Sequence, residues 1–558
     1  MARPAPDRPE AEVLQVKAHR GVDPERLRSF VTERAKLLEE MGARVGLRLP
    51  ASQLPSYELY TDLVQKGTLT GSSEPVDAPD PGGRIRRVLA LPCAARDGEA
   101  EAAWLMQMGW EVKPLPLWSV GLAAHHAPKL YGRSAEALAG ALAHSGYFPS
   151  LEELLESPRE LRQYPTLFAP AAAVLVGWIL DVQGPRGLEK AVIATSRGAD
   201  RLPALAAALK MDPAGVRRAY ATVLGERAER HPRAHAREHV DAPSGRHRGI
   251  CYAHTVSLQR GYASHRAARQ LDRLQTLGAN WVSVTPFGYL KLHSPQITAS
   301  SGFGSEGETD ESMGVVITEA RARGLGVMVK PHLWSNGFVG QISMRTAEDW
   351  RRFFKEYGRY ILHHAILAEA CDGSALSVGN ELIECTRGHD REWRRLIRAV
   401  RSIFAGSVTY GAHWREEVER IGFWDALDWV GVSLYAPLAE DGKARSEDLR
   451  ESARRQAERL RTISRRVDRP LLLVEVGFPS HPRAPFAPWE DPEHGPADPG
   501  AQAEAYEALL SVFWPLPFVE GVYWWKWFSD EPGPPGDRSH RFAGKPAEEI
   551  VRRFYRMH

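Results

Sequence analysis

Two glutamates, Glu381 and Glu475, each follow a short apolar run in the second half of the chain. Hydrolysis of a glycosidic bond with retention of configuration needs two carboxyl groups roughly 5–5.5 Å apart, one as nucleophile and one as proton donor and acceptor. A single glutamate after a strand is more often a solvated loop residue or an ion-pair partner. If the fold buries both in one cleft, a catalytic role is favoured, because an idle buried carboxylate pair is costly.

The elements that must bring the two glutamates together are short apolar runs that alternate with helical patterns after residue 248. Eight strands are predicted at residues 249–253, 281–285, 326–330, 376–379, 408–411, 429–434, 471–475 and 521–525. This count predicts an α/β fold, a C-terminal (β/α)8 TIM barrel preceded by an α-rich N-terminal domain. The glutamates then end strands four and seven, on the face where such barrels build active sites.

Other predicted strand ends carry polar and aromatic side chains that a sugar could contact. The candidate binding residues are Asn380, His332, Trp334, His413, Trp414, Tyr435 and Trp525. Alternation along the last strand places Trp525 and Trp527 on one face and Trp524 on the other, and Trp525 is the predicted sugar platform. The two histidines lack the spacing of metal ligands, so no catalytic metal and no cofactor is expected.

A set of short motifs recurs at nearly every predicted strand. The set comprises Gly261-Tyr262, residues 277–282, Lys330-Pro331-His332-Leu333-Trp334, Gly340 with Ile342, residues 379–382, Phe423-Trp424-Asp425 leading to Tyr435, residues 475–478 and residues 524–527. With these motifs the sequence resembles glycoside hydrolase family 113 of clan A, over residues 249–558.

The resemblance implies a retaining, β-1,4-mannanase-like enzyme with a carbohydrate substrate. By it, Glu381 would be the acid/base and Glu475 the nucleophile, and Asn380 would be available to bind the sugar hydroxyl next to the reacting carbon. Tyr435 is placed like the clan's tyrosine that hydrogen-bonds the nucleophile and keeps it ionised.

Two positions depart from the family pattern. His413 stands where members often carry Asn, and Ser433 stands where they often carry an acid. These differences bear on the choice of sugar more than on the chemistry. The alternative function is an inactive carbohydrate-binding or scaffold protein on the same barrel, which the presence of both glutamates disfavours.

Residues 1–230 predict an α-rich accessory domain, which a linker at 231–247 joins to the barrel domain at 248–558. Helices are predicted near 24–41 and 202–224, and strands at 85–91 and 110–117.

Part of this half weakly resembles the tail of a gluzincin metallopeptidase domain. The zinc-binding His-Glu-x-x-His motif is missing, because no Glu follows His125 or His126 in register, so no zinc is expected. An accessory domain of unknown role explains this half equally well.

Composition argues against several classes of protein. Lys and Arg number 72 against 70 Asp and Glu, a net charge of +2, so nucleic-acid or membrane-surface partners have no electrostatic basis.

The amino terminus lacks the apolar segment of a signal peptide, and the run at 168–180 is too short to span a bilayer, so a cytoplasmic location is expected. The four cysteines lie far apart and are expected to be reduced.

Overall fold

The computed structural model describes residues 14–72, 74–93, 97–198, 200–234, 242–254, 257–299, 308–440 and 445–556. The chain divides into two compact units. The N-terminal unit is drawn from Met1–Leu91, Ala95–Ala143 and Phe148–Pro232, and the barrel unit from Pro92–Ala94, His144–Tyr147 and Arg233–His558. Residues 235–241 of the predicted linker lie outside the described residues.

The N-terminal unit is mostly helical, as predicted, and carries a small parallel sheet. Its strands are β1 (Val16–Ala18), β2 (Ser56–Tyr60) and β3 (Arg84–Val88), paired in that order. Its helices are α1 (Pro24–Arg44), α2 (Leu63–Thr70), α3 (Glu99–Trp110), α4 (Pro116–His126), α5 (Ala135–Leu142), α6 (Leu151–Glu156), α7 (Arg159–Arg162), α8 (Pro165–Arg197), α9 (Arg201–Ala208) and α10 (Pro213–Arg230).

The strand predicted at residues 110–117 is wrong. Trp110 ends α3, and Pro116 begins α4, where the fixed φ of proline suits the first helical turn. Between the two helices Glu111 takes a left-handed conformation at φ +52°, which turns the chain sharply. An apolar run that crosses a helix boundary therefore looks like a strand in sequence.

Helix α8 contains the apolar run at 168–180. By length and composition alone it could cross a membrane, and it is the single helix among the described residues that meets both criteria. However, 83% of its most apolar 18-residue window is buried inside the protein. Burial of this extent is typical of the core helix of a globular domain.

The barrel unit contains eleven strands among its described residues: β4 (His247–Ala253), β5 (Trp281–Val284), β6 (Phe287–Tyr289), β7 (Thr298–Ala299), β8 (Gly326–Val329), β9 (His332–Trp334), β10 (Ala375–Asn380), β11 (Ser407–His413), β12 (Val430–Ser433), β13 (Leu471–Val476) and β14 (Val519–Phe528). Strands β4, β5, β8 and β10 to β14 close into a parallel barrel, which confirms all eight predicted strands. The remaining three form a small sheet in the order β7, β6, β9.

Helices fill the connections between the barrel strands. They are α11 (His265–Leu277), α12 (Asp310–Ala322), α13 (Ala347–Ala370), α14 (Ile383–Thr386), α15 (Asp390–Ile403), α16 (Glu417–Arg420), α17 (Ser446–Val467), α18 (Pro499–Phe513) and α19 (Pro546–Arg556). Local sequence sets their starts: the Ser264 and Thr346 hydroxyls cap the amino ends of α11 and α13.

Large side chains from several strands fill the barrel interior. Trp281, Met328, Trp429, Leu472 and Tyr523 belong to this core cluster. Strand β13 is buried along its whole length, as expected for a parallel strand covered on both faces. A polar side chain at the end of such a strand can therefore occupy only the barrel mouth without losing all contact with solvent.

Two cysteines of the barrel unit form a disulfide, so the expectation of four reduced cysteines is wrong. Cys93 is bonded to Cys371 across 278 positions of sequence. Cys251 and Cys385 are buried and free. No local spacing rule relates two cysteines so far apart, which is why the sequence pattern did not reveal the pair.

Residues 144–147 also pack within the barrel unit, against α13 and α15. The Tyr147 ring lies on Gly358, where a Cβ atom would come within 2.1 Å of it. Arg359 donates to the Tyr147 carbonyl oxygen at 3.0 Å, and Arg395 donates to that of Ser145 at 2.7 Å. These residues are therefore part of the barrel's helical layer.

A fragment beginning at Arg246 is predicted to be less stable than the full chain, although it contains all eight strands and both glutamates. It lacks the Tyr147 side chain and the disulfide partner of Cys371. Thermal unfolding of the two proteins tests this. As a matched check in the full chain, Tyr147→Ala should cost about 3 kcal/mol, as for loss of a buried aromatic ring. An unchanged melting temperature in both would contradict the packing role.

Candidate active site

Glu475 and Glu381 sit at the mouth of the barrel. Glu475 is the fifth residue of β13 and is only 6% exposed. Glu381 follows β10 directly, with a left-handed backbone at φ +54°. Residues other than glycine are strained in that backbone conformation, so the surroundings must hold Glu381 there. Part of that restraint is a hydrogen bond from the Glu381 amide to the Gly411 carbonyl oxygen, 2.8 Å long.

The Glu475 carboxylate is held by two charged or polar neighbours from other strands. Lys330 Nζ lies 2.7 Å from Oε2, and the Tyr435 hydroxyl donates to Oε1 at 2.6 Å. Burial by itself would raise the pKa of Glu475, but the Lys330 charge and these hydrogen bonds outweigh it and lower the pKa. Glu475 is therefore ionised at neutral pH.

The pKa of Glu381 is shifted in the opposite direction. Burial of its carboxyl, followed by the negative charges of Glu475 and Glu417, raises its pKa well above the ordinary value. Lys330 opposes this shift without cancelling it. The site therefore pairs a carboxyl of lowered pKa with one of raised pKa, which is the division of roles that acid-assisted displacement at a sugar requires.

Asn380 lies beside Glu381 and is oriented by Ser433 of β12. The Ser433 hydroxyl donates to Asn380 Oδ1 at 3.0 Å, which leaves the amide NH2 group to donate elsewhere. Gly411 of β11 makes room for this amide, since a Cβ there would lie 2.3 Å from Oδ1. Ser433, noted in sequence as a departure from the family pattern, thus contacts a predicted binding residue directly.

An aromatic group borders the Glu475 side of the site. Trp525 stacks on His332 with ring centres 6.2 Å apart, and Lys330 Nζ lies 5.5 Å from the Trp525 ring centre. Burial and the Lys330 charge lower the pKa of His332 to about 3, so its imidazole is neutral. Trp334, 58% exposed, lies one ring further out, against Phe287.

The predicted alternation of the three tryptophans of β14 is wrong. Trp524 and Trp527 are both fully buried, and Trp525 alone is partly exposed. The register between β14 and β4 shifts between Trp524 and Trp527, so two residues of spacing no longer return to the same face. Trp525 remains the one of the three that a ligand could reach.

His413 and Trp414 end β11 as predicted and belong to a second aromatic group. His413 contacts Phe338, and it stacks on Trp414 at 5.6 Å. The Arg415 guanidinium lies 4.9 Å from the Trp414 ring centre and 6.0 Å from that of Trp489. Phe338 and Trp489 are 44% and 48% exposed, and Phe338 had not been predicted as a site residue.

The barrel unit is similar to known proteins. The profile of Glycoside Hydrolase Family 113 matches residues 251–536, just over half of the chain. The chain belongs to this family. It is a glycoside hydrolase built on a TIM barrel. No curated protein sequence matches the chain.

Solved structures of family 113 enzymes share the barrel. A family 113 β-mannanase from Alicyclobacillus acidocaldarius, in complex with ManMIm, is 26% identical and superposes with a TM-score of 0.51. The match covers 57% of this chain and 99% of that one. A second family 113 β-1,4-mannanase is 24% identical, with a TM-score of 0.51 over 56% of this chain and all of that one. None of these comparisons supports the gluzincin resemblance of the N-terminal half.

Two residues of this family 113 site escaped sequence reasoning. Lys330 lies within one of the motifs, but the sequence does not mark it as a site residue, because its partner Glu475 is 145 positions away. Glu417 was assigned no role, because it lies in a four-residue helix with ordinary surface composition. The available signal for Lys330 was a lysine at the end of a buried strand, where an unpaired cation is rarely tolerated.

Lys330→Met is predicted to destabilise the protein by about 3 kcal/mol at neutral pH, because it leaves the buried Glu475 carboxylate without its cation. The pKa of Glu475 then rises, and the penalty disappears once the pH falls below that raised pKa and the carboxyl is protonated. Denaturant unfolding at pH 7 and pH 4.5 measures the difference. Lys526→Met is the control, since its partner Asp491 is 59% exposed and 3.9 Å away. A penalty for Lys330→Met that is equal at both pH values would contradict the pairing.

Proposed function

We propose that this glycoside hydrolase cleaves β-1,4-mannosidic bonds, or closely related β-glycosidic bonds, with retention of configuration. Family membership and the similarity to the Alicyclobacillus β-mannanase support the choice of linkage. The observation that carries the mechanism is the unequal surroundings of the two carboxyls: Lys330 and Tyr435 contact Glu475 and lower its pKa, whereas burial and neighbouring negative charge raise the pKa of Glu381.

In this mechanism Glu475 attacks the anomeric carbon while Glu381 gives its proton to the departing glycosidic oxygen. Formation of the covalent glycosyl-enzyme removes the negative charge of Glu475, one of the charges that raises the pKa of Glu381. Glu381 has meanwhile lost its proton and, with a lowered pKa, stays ionised. It can then take a proton from the water that releases the sugar.

The neighbouring side chains would orient the reacting sugar. Asn380, fixed by Ser433, has an amide donor available for the hydroxyl next to the anomeric carbon. The neutral His332 and the Trp525 ring offer a donor and a flat apolar face on the Glu475 side. Trp334, His413 and Trp414 lie further out, where they would contact sugars beyond the reacting one.

A hydrolysis screen over manno-, gluco- and xylo-oligosaccharides of two to six units tests the proposal, with proton NMR of the first product anomer. Mannooligosaccharides should be cleaved fastest, and the β-anomer should appear before mutarotation. Release of the α-anomer first would indicate inversion and overturn the proposed role of Glu475. Binding without cleavage of any of the three series would favour the alternative, a carbohydrate-binding protein.

Glu475→Ala is predicted to lower turnover on the order of 10⁴-fold, because no glycosyl-enzyme can form. The substitution leaves Lys330 buried without its anion, so the variant should be less stable than the wild type, and turnover is compared at a temperature at which both are folded. Initial-rate kinetics on a cleaved oligosaccharide, with circular dichroism as the folding control, measures this. Near-normal turnover would remove Glu475 from the reaction.

Glu381→Ala is predicted to lower kcat/KM on oligosaccharides by about 10²–10⁴-fold but to spare aryl β-mannosides with good leaving groups, which need little protonation. Azide should restore turnover by attacking the glycosyl-enzyme in place of water, giving a β-mannosyl azide. Product analysis with and without azide checks this. Equal loss on both substrates, with no effect of azide, would contradict the acid/base assignment.

We propose that the N-terminal unit is an accessory domain without metallopeptidase chemistry. Its two adjacent histidines end α4 beside a cation: Arg44 lies 3.1 Å from His125, and His126 lies 3.5 Å from Glu40. Burial and the Arg44 charge lower the pKa of both imidazoles. A guanidinium at this position repels a metal ion, which supports an accessory role.

The expected cytoplasmic location stays a prediction, and the disulfide bears on it. Bonds such as Cys93–Cys371 persist mainly in oxidising compartments and are rare in the cytosol. We propose that the protein is exposed to an oxidising environment during its life. Thiol trapping on cell extracts, followed by mass spectrometry of the Cys93 and Cys371 peptides, tests this. A disulfide between the two peptides would support an oxidising environment, and two free thiols would support the cytoplasm.

A further inference from the structure

Glu417 is a buried carboxylate that the mechanism above does not use. It is the first residue of α16, just after β11, and is 1% exposed. Its Oε1 accepts from the Tyr410 hydroxyl at 2.7 Å and from the Thr386 hydroxyl at 3.0 Å. Its Oε2 accepts from the His413 amide at 2.7 Å. One side chain therefore joins the end of β11 to the segment that follows β10.

The Tyr410 hydroxyl extends this connection to the residue after Glu381. It accepts a hydrogen bond from the Leu382 amide at 2.8 Å while donating to Glu417. Leu382 directly follows Glu381, whose backbone is in the left-handed conformation. A strained turn persists only when its surroundings restrain it on both sides. The Gly411 carbonyl restrains the Glu381 amide, and Tyr410 with Glu417 restrains the next peptide.

We infer that Glu417 is a positioning residue for Glu381, which it serves by fixing the turn through Tyr410 and by placing a second negative charge near the acid/base. This inference rests on the proposed role of Glu381 as proton donor. Glu417 does not touch the reacting atoms. Its effect on the reaction passes through the position and the proton affinity of Glu381.

Glu417 gains its negative charge over a defined pH range. Burial raises its pKa to about 7, against the opposing effect of its hydrogen bonds and of Arg420 on its own helix. It therefore becomes fully charged as the pH rises through neutrality. Its charge then adds to that of Glu475 in raising the pKa of Glu381, whereas Lys330 lowers it. Glu381 consequently keeps its proton further into the alkaline range.

The other ionisable groups around Glu417 do not reverse this effect. Cys385 and Tyr357 pack nearby, and burial and the Glu417 charge raise the pKa of both, so they stay neutral. Tyr410 behaves in the same way, with burial as the main cause. Loss of the Glu417 charge should therefore lower the pKa of Glu381, and the alkaline limb of the kcat/KM profile should move to lower pH.

The test compares Glu417→Gln with Glu369→Gln in the full-length enzyme. Glu369 is a matched control: it is 2% exposed, it accepts from a backbone amide, that of Ala405 at 3.2 Å, and it lies near the end of α13 that precedes β10. For each variant, kcat/KM is measured from pH 5 to pH 9 on mannotriose and on dinitrophenyl β-mannoside. Thermal unfolding reports whether each variant is folded.

Glu417→Gln should move the alkaline limb on mannotriose down by about 0.5–1 pH unit. It should lower kcat/KM on mannotriose by about 10–100-fold, with a change below about threefold on the dinitrophenyl substrate. Glu369→Gln should alter neither. Equal losses on both substrates with an unmoved limb would show a purely structural role and overturn the inference.

Tyr410→Phe keeps the experiment decisive if Glu417→Gln does not fold. It removes only the hydroxyl between Leu382 and Glu417, and it should impair mannotriose more than the dinitrophenyl substrate. An equal effect on the two would overturn the inference. Glu381→Ala separates this outcome from failure of the proposed function: if that variant itself fails to distinguish the two substrates, then Glu381 is not the proton donor.

Discussion

The ion pair between Lys330 and Glu475 is the interaction on which the rest of the site depends. Both groups are buried, so each would be costly alone, and the pair is tolerated because hydrogen bonds satisfy the remaining polar atoms. Lys330 also donates to the Val474 carbonyl oxygen at 3.3 Å, and Tyr435 occupies the second oxygen of Glu475. The three side chains lie in or just beyond β8, β12 and β13. Only a closed barrel brings them together, so the ionised state of Glu475 is a property of the fold.

Burial and the two charges of this pair together set the state of the neighbouring groups. Burial and the Glu475 charge raise the pKa of Glu381, and burial and the Lys330 charge lower that of His332, so an anion and a cation lie beside a carboxyl of raised pKa and a neutral imidazole. Such an arrangement needs little reorganisation when charge moves during a reaction. In the proposed mechanism, the same electrostatic coupling makes the proton affinity of Glu381 depend on whether Glu475 is free or covalently bound, so that one carboxyl would serve first as acid and then as base.

The sequence predicted those parts of the structure that are encoded locally. Each barrel strand contains a short apolar stretch, and each glutamate stands at or near the end of one, so the strand count and the candidate carboxyl pair could be predicted directly. Contacts between distant residues could not. Lys330 and Glu475 are 145 positions apart, and Cys93 and Cys371 are 278 apart. The bulge that separates Trp525 from Trp527 changes the face of a residue without changing the hydrophobic pattern. Strands β6, β7 and β9 are two or three residues long, too short for any periodic signal.

Helix α13 links these distant contacts to the site. Its middle carries Gly358 under the Tyr147 ring, and its carboxyl end is followed at once by Cys371, the partner of Cys93. On the same helix, the Tyr357 hydroxyl donates to the Val378 carbonyl oxygen of β10 at 2.8 Å. Strand β10 then presents Asn380 and leads into the turn at Glu381. Segments that precede the first barrel strand by a hundred residues or more thus restrain the helix packed on the strand that leads into Glu381. The strands are held by their own ladder of backbone hydrogen bonds, whereas the turn at Glu381 also depends on the Tyr410 side chain. A loss of these segments should therefore act on the position of Glu381 before it acts on the strand order.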